Sequence, residues 1–526
     1  MNRQQTILRT LVILGALILL NVIGLRFFKR LDLTEGKMYT LSDASKNLVR
    51  SLDDKFTVKA YFTSDLPAEY ANNRRYLKDQ LDEYRAYSAG NFQYEFIDPG
   101  KKEELEQEAQ RYGIPPVQVQ ILKQDKLQVE KAYMGLVFLY GDKQEHLPVI
   151  QSTSNLEYEI SSAMKKITSK VLKKVGFLTG HGEPSLQQMS KVQDILSKQY
   201  EVTTVDLAGG KPIPQDIAAL MIVGPDKPFK SWEKFLIDQY LMKGGRIAFF
   251  LNKVNATLQS QMGRAQSVGL DDLLESYGAR INTDLVRDAS CAYVTVQQPV
   301  GFMVIQNQVP FYYLPSVSEF DQTSPIVKDL RSVVLYFASS IDTALARSKG
   351  LTSHVLLRSS KRSGRQENVF VINAGMQATP DMFNESGIPL AATVEGAFAS
   401  AFGNKSVGLD STVKSIDTTN RVVAGKVSKI VVIGDGDFLQ DQLSGGNRDN
   451  FYLATNLVDW LADDIGLAAI RARDTGSKPL DEVSEGTKAW VKGINLAAPP
   501  IVVVLIGIIR WRWRASVRRR LEIKGM

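Results

Sequence analysis

The chain has 526 residues, which is too long for one hydrophobic core and predicts two or more domains. Its composition, 44% hydrophobic and 23% charged, is typical of folded proteins and excludes a chain that is disordered throughout. The single cysteine, Cys291, excludes an intramolecular disulfide, a Cys-x-x-Cys redox pair and a zinc site built from cysteines.

The net charge of +7 is concentrated at the two ends of the chain. Residues 1–30 carry +5 and residues 510–526 carry +6, which leaves residues 31–509 at −4. A basic domain surface is the electrostatic signature of nucleic-acid binding. Because the body of this chain is slightly acidic, we do not expect it to bind nucleic acid.

In chain order, the first predicted element is an apolar segment. Residues 10–25 contain no charge, and with their apolar neighbours from 7 to 28 they are long enough to cross a bilayer. A cleaved signal peptide is the alternative, but the following residues, RFFKRLDL, lack a small-x-small cleavage site. The pattern favours a retained transmembrane anchor over residues 1–30.

Residues 31–154 predict a small α/β domain. Strand patterns occur in FTVKAYFTS, FQYEFIDP, VQVQILK and AYMGLVFLYGDKQEHLPVI, and helical patterns in EYANNRRYLKDQLDEYRAYS and EELEQEAQRYGI. The β-α-β-α-β-β order suggests a thioredoxin-like topology. Since the redox cysteines are absent, we expect a scaffold and not an oxidoreductase.

Residues 155–465 predict a second α/β domain, which begins with a connecting helix in NLEYEISSAMKKITSK. Apolar strands in KKVGFLTG, YEVTTVDLAG, AALMIVGP and RIAFFLN alternate with helices in PSLQQMSKVQDILSKQ and SWEKFLIDQYLMKGG. This alternation is typical of a parallel sheet covered on both faces. The pattern returns in SKIVVIGDGDFLQDQL and NFYLATNLVDWLADD. Residues 260–425 between these parts are interpreted as an insertion, and the pattern does not order its strands.

Residues 466–489 predict a tether, and residues 490–526 predict a second transmembrane helix with a basic tail. The uncharged run INLAAPPIVVVLIGII leads directly into RWRWRASVRRR. By the positive-inside rule this tail stays in the cytoplasm, so two spans place both termini there and the body outside. The residues expected at the membrane interface are Trp490, Trp511, Trp513, Arg510, Arg512 and Arg514.

The first candidate site is the turn Gly180-His181-Gly182-Glu183. It follows the carboxyl end of a predicted parallel strand, the usual ligand side of an open α/β sheet. An imidazole and a carboxylate two residues apart can act as base and orienter, or as two metal ligands. The favoured alternative is a tight strand-to-helix turn, in which the glycines supply the conformation and Glu183 faces a helix N-terminus.

The second candidate is GDGDFLQD, with Asp435, Asp437 and Asp441. It resembles a calcium loop but lacks the glutamate and the flanking helices of an EF-hand. Because it also follows a buried strand, we predict that both Gly-x-Gly turns meet at one sheet edge and line a cleft or an interface. We predict no catalytic residue, metal or cofactor. Cys291 is expected to be a buried thiol, and no P-loop motif occurs, so energy must come from a partner.

Five segments in the same order resemble the GldG family, the auxiliary, substrate-binding-like component of an ABC transporter associated with bacterial gliding motility. They are LDLTEGKMYTLSDASKNLVRSL, VGFLTGHGEPSL, LIDQYLMKGGRIAFFLN, PLAATVEGAFASAF and IVVIGDGDFLQD. The resemblance covers nearly the whole chain. It implies a polytopic GldF-like permease subunit and a cytoplasmic GldA-like ATPase as partners. It also implies that the second domain is similar to flavodoxin-like, class I glutamine amidotransferase-like domains that have lost the nucleophilic cysteine.

These patterns predict a non-enzymatic subunit in a bacterial inner membrane, with a periplasmic body that couples motion of the permease and ATPase to an envelope ligand or partner. Two alternatives stay open. One is a dedicated ligand-binding protein whose cleft lies between the turns at residues 180–183 and 434–437. The other is an envelope hydrolase that uses His181 and Glu183.

Overall fold

The computed structural model of the chain describes residues 40–462, 470 and 485–523. Within this range, short gaps fall at residues 65, 67, 124–125, 151–152, 154–155, 170, 260, 301–302, 328–329, 412, 414 and 444–446. The chain divides into two units, one up to Thr475 and one from Gly476. The first predicted membrane span lies outside the described residues.

The first part of the larger unit is a four-stranded sheet with helices packed on it. Its elements are α1 (Asp43–Arg50), β1 (Phe56–Phe62), α2 (Ala68–Tyr87), β2 (Phe92–Ile97), α3 (Glu103–Arg111), β3 (Val117–Lys123), β4 (Lys126–Ala132), β5 (Met134–Tyr140), β6 (Lys143–Leu147) and α4 (Leu156–Thr168). The strand order is β2-β1-β5-β6, with β1 parallel to β2 and antiparallel to β5. Strands β3 and β4 form a separate antiparallel hairpin. The predicted α/β character of this part is confirmed.

The spacing of apolar residues explains how the helices pack on this sheet. Leu77, Leu81 and Tyr84 recur every three or four residues, so they share one face of α2 and enter the first core. Ile160 and Met164 of α4 enter the same core. The helix interpreted from sequence as a connection to the second domain therefore packs with the first sheet.

The rest of the larger unit is built around an eight-stranded sheet. Its elements are β7 (Lys174–Thr179), α5 (Ser190–Ser197), β8 (Glu201–Asp206), β9 (Ile217–Val223), α6 (Ser231–Met242), β10 (Ile247–Phe250), β11 (Val254–Asn255), β12 (Met262–Ala265), α7 (Asp271–Ser276), β13 (Arg280–Ile281), β14 (Asp284–Asp288), β15 (Cys291–Val300), β16 (Met303–Val317), β17 (Glu319–Phe320), β18 (Val333–Val334), β19 (Ile341–Asp342), α8 (Ala344–Ser348), β20 (Thr352–Arg358), β21 (Ser363–Glu367), β22 (Phe370–Val371), β23 (Pro389–Ala399), β24 (Ala424–Ile433) and α9 (Arg448–Leu461). Short 3₁₀ turns occur at Pro99–Lys101, Leu186–Met189, Ala208–Gly210 and Pro380–Phe383.

The main sheet is mixed, with the order β17-β20-β23-β24-β10-β9-β7-β8. Strands β24, β10, β9, β7 and β8 are parallel, as their apolar runs predict. Strands β23, β20 and β17 extend the sheet in antiparallel orientation. The sheet is therefore not purely parallel, because three strands from the region that sequence reasoning left unordered join its edge.

The central parallel strands β9 and β10 are apolar at every position because the sheet is buried on both faces there, whereas the edge strand β8 is largely polar and exposed. Met221 and Phe250 point into one core, which contains Leu457 of α9. Leu220 and Phe249 point into the other core, on the side of α6. Successive strand residues face opposite sides, so a sheet between two cores needs a continuous apolar run.

A topological switch point lies between β7 and β9. After β7 the chain forms β8 on one side, and it then crosses to form β9 on the other side of β7. The loops that leave β7 and β9 therefore diverge at this point. Open α/β sheets bind ligands in the crevice that such a divergence creates. The loop containing residues 180–183 is at this edge.

The described part of the second unit is one helix, α10 (Glu485–Ile523). Between Lys492 and Arg510 it has 17 uncharged residues. In the described ranges, no helix is both long enough and apolar enough to cross a membrane. The second predicted transmembrane helix is therefore not supported by the structure.

Candidate functional site at the carboxyl edge of the main sheet

The turn after β7 is fixed to the segment after β9. Gly180 and Gly182 have φ angles of +117° and +83°, a left-handed conformation that glycine adopts without strain. The carbonyl oxygen of His181 accepts hydrogen bonds from the backbone N–H groups of Asp226 and Lys227, both at 2.9 Å. The predicted tight turn is present, and these hydrogen bonds join its backbone to the loop after β9, across the switch point.

The imidazole of His181 is buried between two carboxylates. Its Nε2 atom lies 3.1 Å from Oε2 of Glu233, and its Nδ1 atom lies 3.6 Å from Oε1 of Glu183. The longer contact is an ion pair but exceeds hydrogen-bond length. The ring stacks on Phe229, with ring centroids 3.8 Å apart. With only 6% of the residue exposed, the imidazole faces protein groups and not open space.

These surroundings change the acid–base behaviour of His181. Burial by itself lowers its pKa, but the carboxylates of Glu183 and Glu233 outweigh this effect and raise the pKa above the ordinary value. The two acidic side chains therefore stabilise the protonated imidazole, and a protonated ring cannot act as a general base.

Both carboxylates also bind backbone amides. Oε2 of Glu183 accepts a hydrogen bond from the N–H of His181 at 2.6 Å, within its own turn. Oε2 of Glu233 accepts one from the N–H of Lys230 at 2.7 Å, at the start of α6. Glu233, fifty residues after Glu183, is thus the glutamate that caps a helix here. The three side chains join the β7 turn to that helix.

The turn after β24, residues 434–437, is equally enclosed. The carboxylate of Asp435 accepts hydrogen bonds from the backbone N–H groups of Tyr336 and Asp437, both at 2.7 Å. Asp437 accepts from the side-chain amides of Asn252 and Gln440, at 2.9 and 2.8 Å. Burial raises the pKa of both carboxyl groups, and the charge of Asp437 adds to the rise at Asp435. These contacts position the turn and its neighbouring loops.

The two turns approach each other at Gly224. A Cβ atom on Gly224 would lie 2.9 Å from the carbonyl oxygen of Gly436 and 3.5 Å from Cδ of Pro184. A Cβ atom on Gly436 would lie 2.5 Å from Cα of Gly224. The structure therefore brings both Gly-x-Gly turns to one sheet edge. There they are joined by close backbone packing through Gly224, and they do not form opposite walls of a cleft.

The remaining candidate residues are Asp441 and Cys291. Asp441 accepts hydrogen bonds from the N–H and hydroxyl of Ser190, at 2.9 and 2.6 Å, near the start of α5. Across the part of the chain that the structure describes, no group of three or more His, Cys, Asp or Glu residues is placed to hold a metal ion. Cys291 is half-buried at the start of β15, and burial raises its pKa to about 11. Its thiol is therefore neutral near pH 7.

An open cleft of about 550 Å³ lies beside the first turn. Its lining residues are Asp226, Asn255, Met262, Arg264, Ala265 and Gln266. Asp226 links it to the turn, since its Oδ1 atom lies only 1.7 Å from where a Cβ atom on Gly182 would be. Sequence reasoning missed this cleft because its walls come from the loop after β9, from β11 and from the β12 segment, and no motif marks any of them.

The six residues predicted at a membrane interface all lie on α10. Trp490, Trp511 and Trp513 are between 69% and 71% exposed, and the three arginines are exposed as well. The apolar side chains from Val504 to Ile506 are also exposed at consecutive positions. Consecutive positions run around a helix, so the apolar surface of α10 is not confined to one face.

Comparison with known proteins gives a match over most of the larger unit. Residues 172–462 match the sequence profile of a family described as "ABC-type uncharacterized transport system", and residues 35–139 match a domain of unknown function, DUF7088. An uncharacterized protein of Borreliella burgdorferi is 23% identical over 504 residues, which cover 93% of this chain and 94% of that protein. The solved mmIFT52 N-terminal domain aligns over 55% of this chain and 97% of its own, at 13% identity and a TM-score of 0.32. A TM-score this low does not establish a shared fold.

Proposed function

We infer an accessory role in an ABC transport system for this chain, which belongs to the family of ABC-type uncharacterized transport system proteins. We further infer that the chain performs no catalysis in that system. The family match supports the association with such a system. The residue contacts at the carboxyl edge of the main sheet support the absence of catalysis.

The burial of His181 between Glu183 and Glu233 is the observation that carries the non-catalytic proposal. A general base must reach the proton it removes, directly or through one water. The imidazole instead bridges two carboxylates of its own protein, with 6% of the residue exposed. Asp435 is likewise completely buried and bound to backbone amides. The side chains at this edge that are capable of acid–base chemistry instead hold the turns together.

The C-terminal end of α9 supports a coupling role. The Nζ atom of Lys173 donates to the carbonyl oxygen of Ala462 at 2.5 Å, and Nη1 of Arg246 donates to that of Leu461 at 2.7 Å. These two cations precede β7 and β10, so they connect the end of α9 to two central strands. The chain continues from this point towards α10. We propose that displacement of the C-terminal segment reaches the main sheet through these contacts.

In finer detail, we propose that the partners are a polytopic permease and a cytoplasmic ATPase, as in the gliding-motility type of system. The energy then comes from the ATPase. We also propose that α10 holds the chain at the membrane. Its exposed tryptophans and arginines support this, because indole rings favour the lipid headgroup region and arginines are attracted to anionic lipid. The family match supports membrane association in general.

Amide substitutions test the non-catalytic proposal. Glu183→Gln and Asp437→Asn remove acid–base capacity and keep side-chain size. We expect each variant to restore function in a deletion strain whenever its melting temperature matches that of the wild type. Glu201→Gln, an exposed acid on β8, is the control. Loss of function in a variant with an unchanged melting temperature would contradict the proposal and favour the hydrolase that uses His181 and Glu183.

Dedicated ligand binding is the second candidate function, and the open cleft beside Gly182 favours it. Asp226 and Arg264 give the cleft a carboxylate and a guanidinium. A ligand present at 100 times its Kd adds about 2.7 kcal/mol to the free energy of unfolding. Screening envelope metabolites by thermal shift therefore detects such a ligand, and Arg264→Ala should abolish the shift. If no metabolite shifts the melting temperature, this candidate fails.

A further inference from the structure

The first turn of α4 contacts three separate parts of the larger unit. Its residues Glu157, Tyr158 and Glu159 are consecutive, and consecutive side chains point about 100° apart around a helix. One turn can therefore face three neighbours at once. Here the neighbours are the start of α1, the segment that follows α9, and the corner between α5 and β8.

Glu157 holds the start of α1. Its Oε1 atom accepts hydrogen bonds from the backbone N–H of Ser42 and from the hydroxyl of Ser45, both at 2.7 Å. A carboxylate is favourable here because the first N–H groups of a helix carry partial positive charge. With only eight residues, α1 is too short to be stable alone. Its position therefore depends on such contacts, and it is the first described helix after the N-terminal segment.

Tyr158 joins the segment that follows α9 to the end of α5. Its ring forms a small buried cluster with Ile470, and Ala44 of α1 packs against this pair. Ile470 is buried and is the last described residue of the larger unit. The hydroxyl of Tyr158 accepts a hydrogen bond from the side-chain amide of Gln199 at 2.6 Å, and both residues are buried. The two ends of the larger unit thus meet at one side chain, although nearly the whole unit separates them in sequence.

The corner between α5 and β8 is tied both to α4 and to α9. Glu159 accepts two hydrogen bonds from Nζ of Lys198, at 2.8 and 3.1 Å, but the lysine side chain is 42% exposed, so this ion pair contributes little. The hydroxyl of Tyr200 donates to Oδ1 of Asp459 on α9 at 2.7 Å, in the protein interior. The contacts therefore close a ring that runs from Tyr158 through this corner to α9, and along the chain after α9 back to Tyr158.

We propose that the first turn of α4 is a latch, which holds both ends of the larger unit and passes a displacement of either terminal segment to the corner between α5 and β8. The terminal segments are the residues before α1 and those after Ile470. The latch deepens the coupling role proposed above and rests on it. The contacts of Lys173 and Arg246 reach the main sheet from the C-terminal side only, and the latch adds the N-terminal segment to the same path. A partner that moves one segment therefore also acts on the other.

Passive packing of the two sheets on each other is the alternative, and the kind of contact argues against it. Burial of apolar surface is non-directional and permits sliding, whereas a hydrogen bond weakens steeply as its distance and angle change. Glu157 and Tyr158 bind their neighbours through hydrogen bonds of 2.6 to 2.7 Å. A displacement at this turn must therefore either carry the neighbours with it or break these bonds.

Amide hydrogen exchange of the full chain tests the latch. Tyr158→Phe removes only the hydroxyl, and Ile470→Ala removes part of the packing on the ring. We expect each variant to exchange about fivefold faster both in α1 and at residues 198–201, the change that loss of one hydrogen bond produces. Tyr61→Phe is the control, because it removes a hydroxyl bond to Glu108 on the face of the first sheet opposite to α4, and it should leave both regions unchanged.

Reconstitution with the ABC subunits that co-purify with the wild-type chain tests the transmission. We expect Tyr158→Phe to retain these subunits and to lose most of the stimulation of ATP hydrolysis, whereas Tyr61→Phe retains both. Thermal melts show whether the variants are folded. Should Tyr158→Phe not fold, Ile470→Ala replaces it.

Two outcomes overturn the proposal. One is faster exchange that stays within the element carrying the substitution, which shows that the first turn of α4 does not connect its neighbours. The other is unchanged stimulation of ATP hydrolysis by a variant that exchanges faster on both sides of this turn. Absence of ABC subunits from the wild-type preparation contradicts the accessory role itself, so failure of the latch is distinguishable from failure of that role.

Discussion

The Nε2 atom of His181 lies 3.1 Å from Oε2 of Glu233, and this contact joins the turn after β7 to the first turn of α6. It lies at the switch point of the main sheet, where open α/β proteins bind their ligands. Here the contact between His181 and Glu233 occupies that position and holds the β7 turn against α6.

Replacing His181 should destabilise the fold in a pH-dependent manner. Because its folded pKa is raised, the contribution of His181 to stability is fully present below the unfolded pKa of about 6.5. It is lost as pH rises through the folded pKa. His181→Gln should therefore lower the free energy of unfolding by about 1–3 kcal/mol at about pH 6, and by less at alkaline pH.

Urea unfolding across this pH range measures the effect. The matched control is His354→Gln, which replaces an exposed histidine on β20. An equal loss of stability by H181Q at every pH would show that packing on Phe229, and not the charge of the imidazole, makes the contribution.

Asp435 predicts a second pH dependence, at lower pH. Its folded pKa is raised by burial, so the folded state binds the proton more tightly than the unfolded state does. Stability should fall as pH rises from about 3.9 towards the folded pKa. Asp435→Asn cannot titrate and also loses one of two acceptor oxygens, so we expect a cost of about 1–3 kcal/mol near pH 4 that shrinks towards neutral pH.

Thermal melts of Asp435→Asn and wild type at several pH values test this prediction. Asp194→Asn, which replaces an exposed acid on α5, is the control. If the difference between D435N and wild type is constant with pH, the Asp435 carboxyl has no raised pKa in the folded protein.

Gly434 should not tolerate a side chain. A Cβ atom there would lie 2.0 Å from the carbonyl oxygen of Ser339, and this backbone cannot move alone because the N–H of Ser339 donates to the carbonyl of Gly434. We expect Gly434→Ala to cost at least about 3 kcal/mol or to prevent folding. At Gly408 the nearest atom would be at 3.5 Å, so Gly408→Ala is the control. A stable, soluble G434A protein would contradict the packing described for this turn.

The sequence predicts the strands and helices better than it predicts the site. The apolar runs of β7, β9, β10 and β24 identify a doubly covered sheet because burial on both faces leaves few other patterns. The glycines of the β7 turn are likewise predictable, since their positive φ angles restrict the residue type.

The features that the sequence does not predict depend on contacts between residues far apart in the chain. The residues around Glu233 are sufficient to predict that it caps α6. They do not predict its contact with His181, which is fifty-two residues earlier in the chain. Several strands between β10 and β24 have only two residues, and β20 and β23 pair with register shifts. Periodicity therefore does not order this region, and β20 and β23 could not be assigned to the main sheet. The cleft at Asp226 and Arg264 combines the loop after β9 with β12, and only β12 belongs to that region.

Removing the cations at the end of α9 should loosen that helix terminus. Lys173→Met and Arg246→Met each remove a charged donor to a terminal carbonyl, a contribution of about 0.3–1 kcal/mol apiece. We expect faster amide hydrogen exchange in the last turn of α9 and weaker stimulation of the partner ATPase. Lys191→Met, at the other end of this helix over Phe451, is the control. Unchanged ATPase stimulation despite faster exchange would remove these contacts from the coupling proposal.

Co-purification from native membranes tests the central claim most directly. The full chain, tagged and extracted in mild detergent, is isolated, and its partners are identified and quantified by mass spectrometry. The proposed accessory role predicts a permease subunit and an ATPase subunit of the ABC type in constant ratio to the chain, with ATP hydrolysis that the isolated chain lacks. Recovery of the chain without either subunit, from membranes in which both are detected, would contradict it.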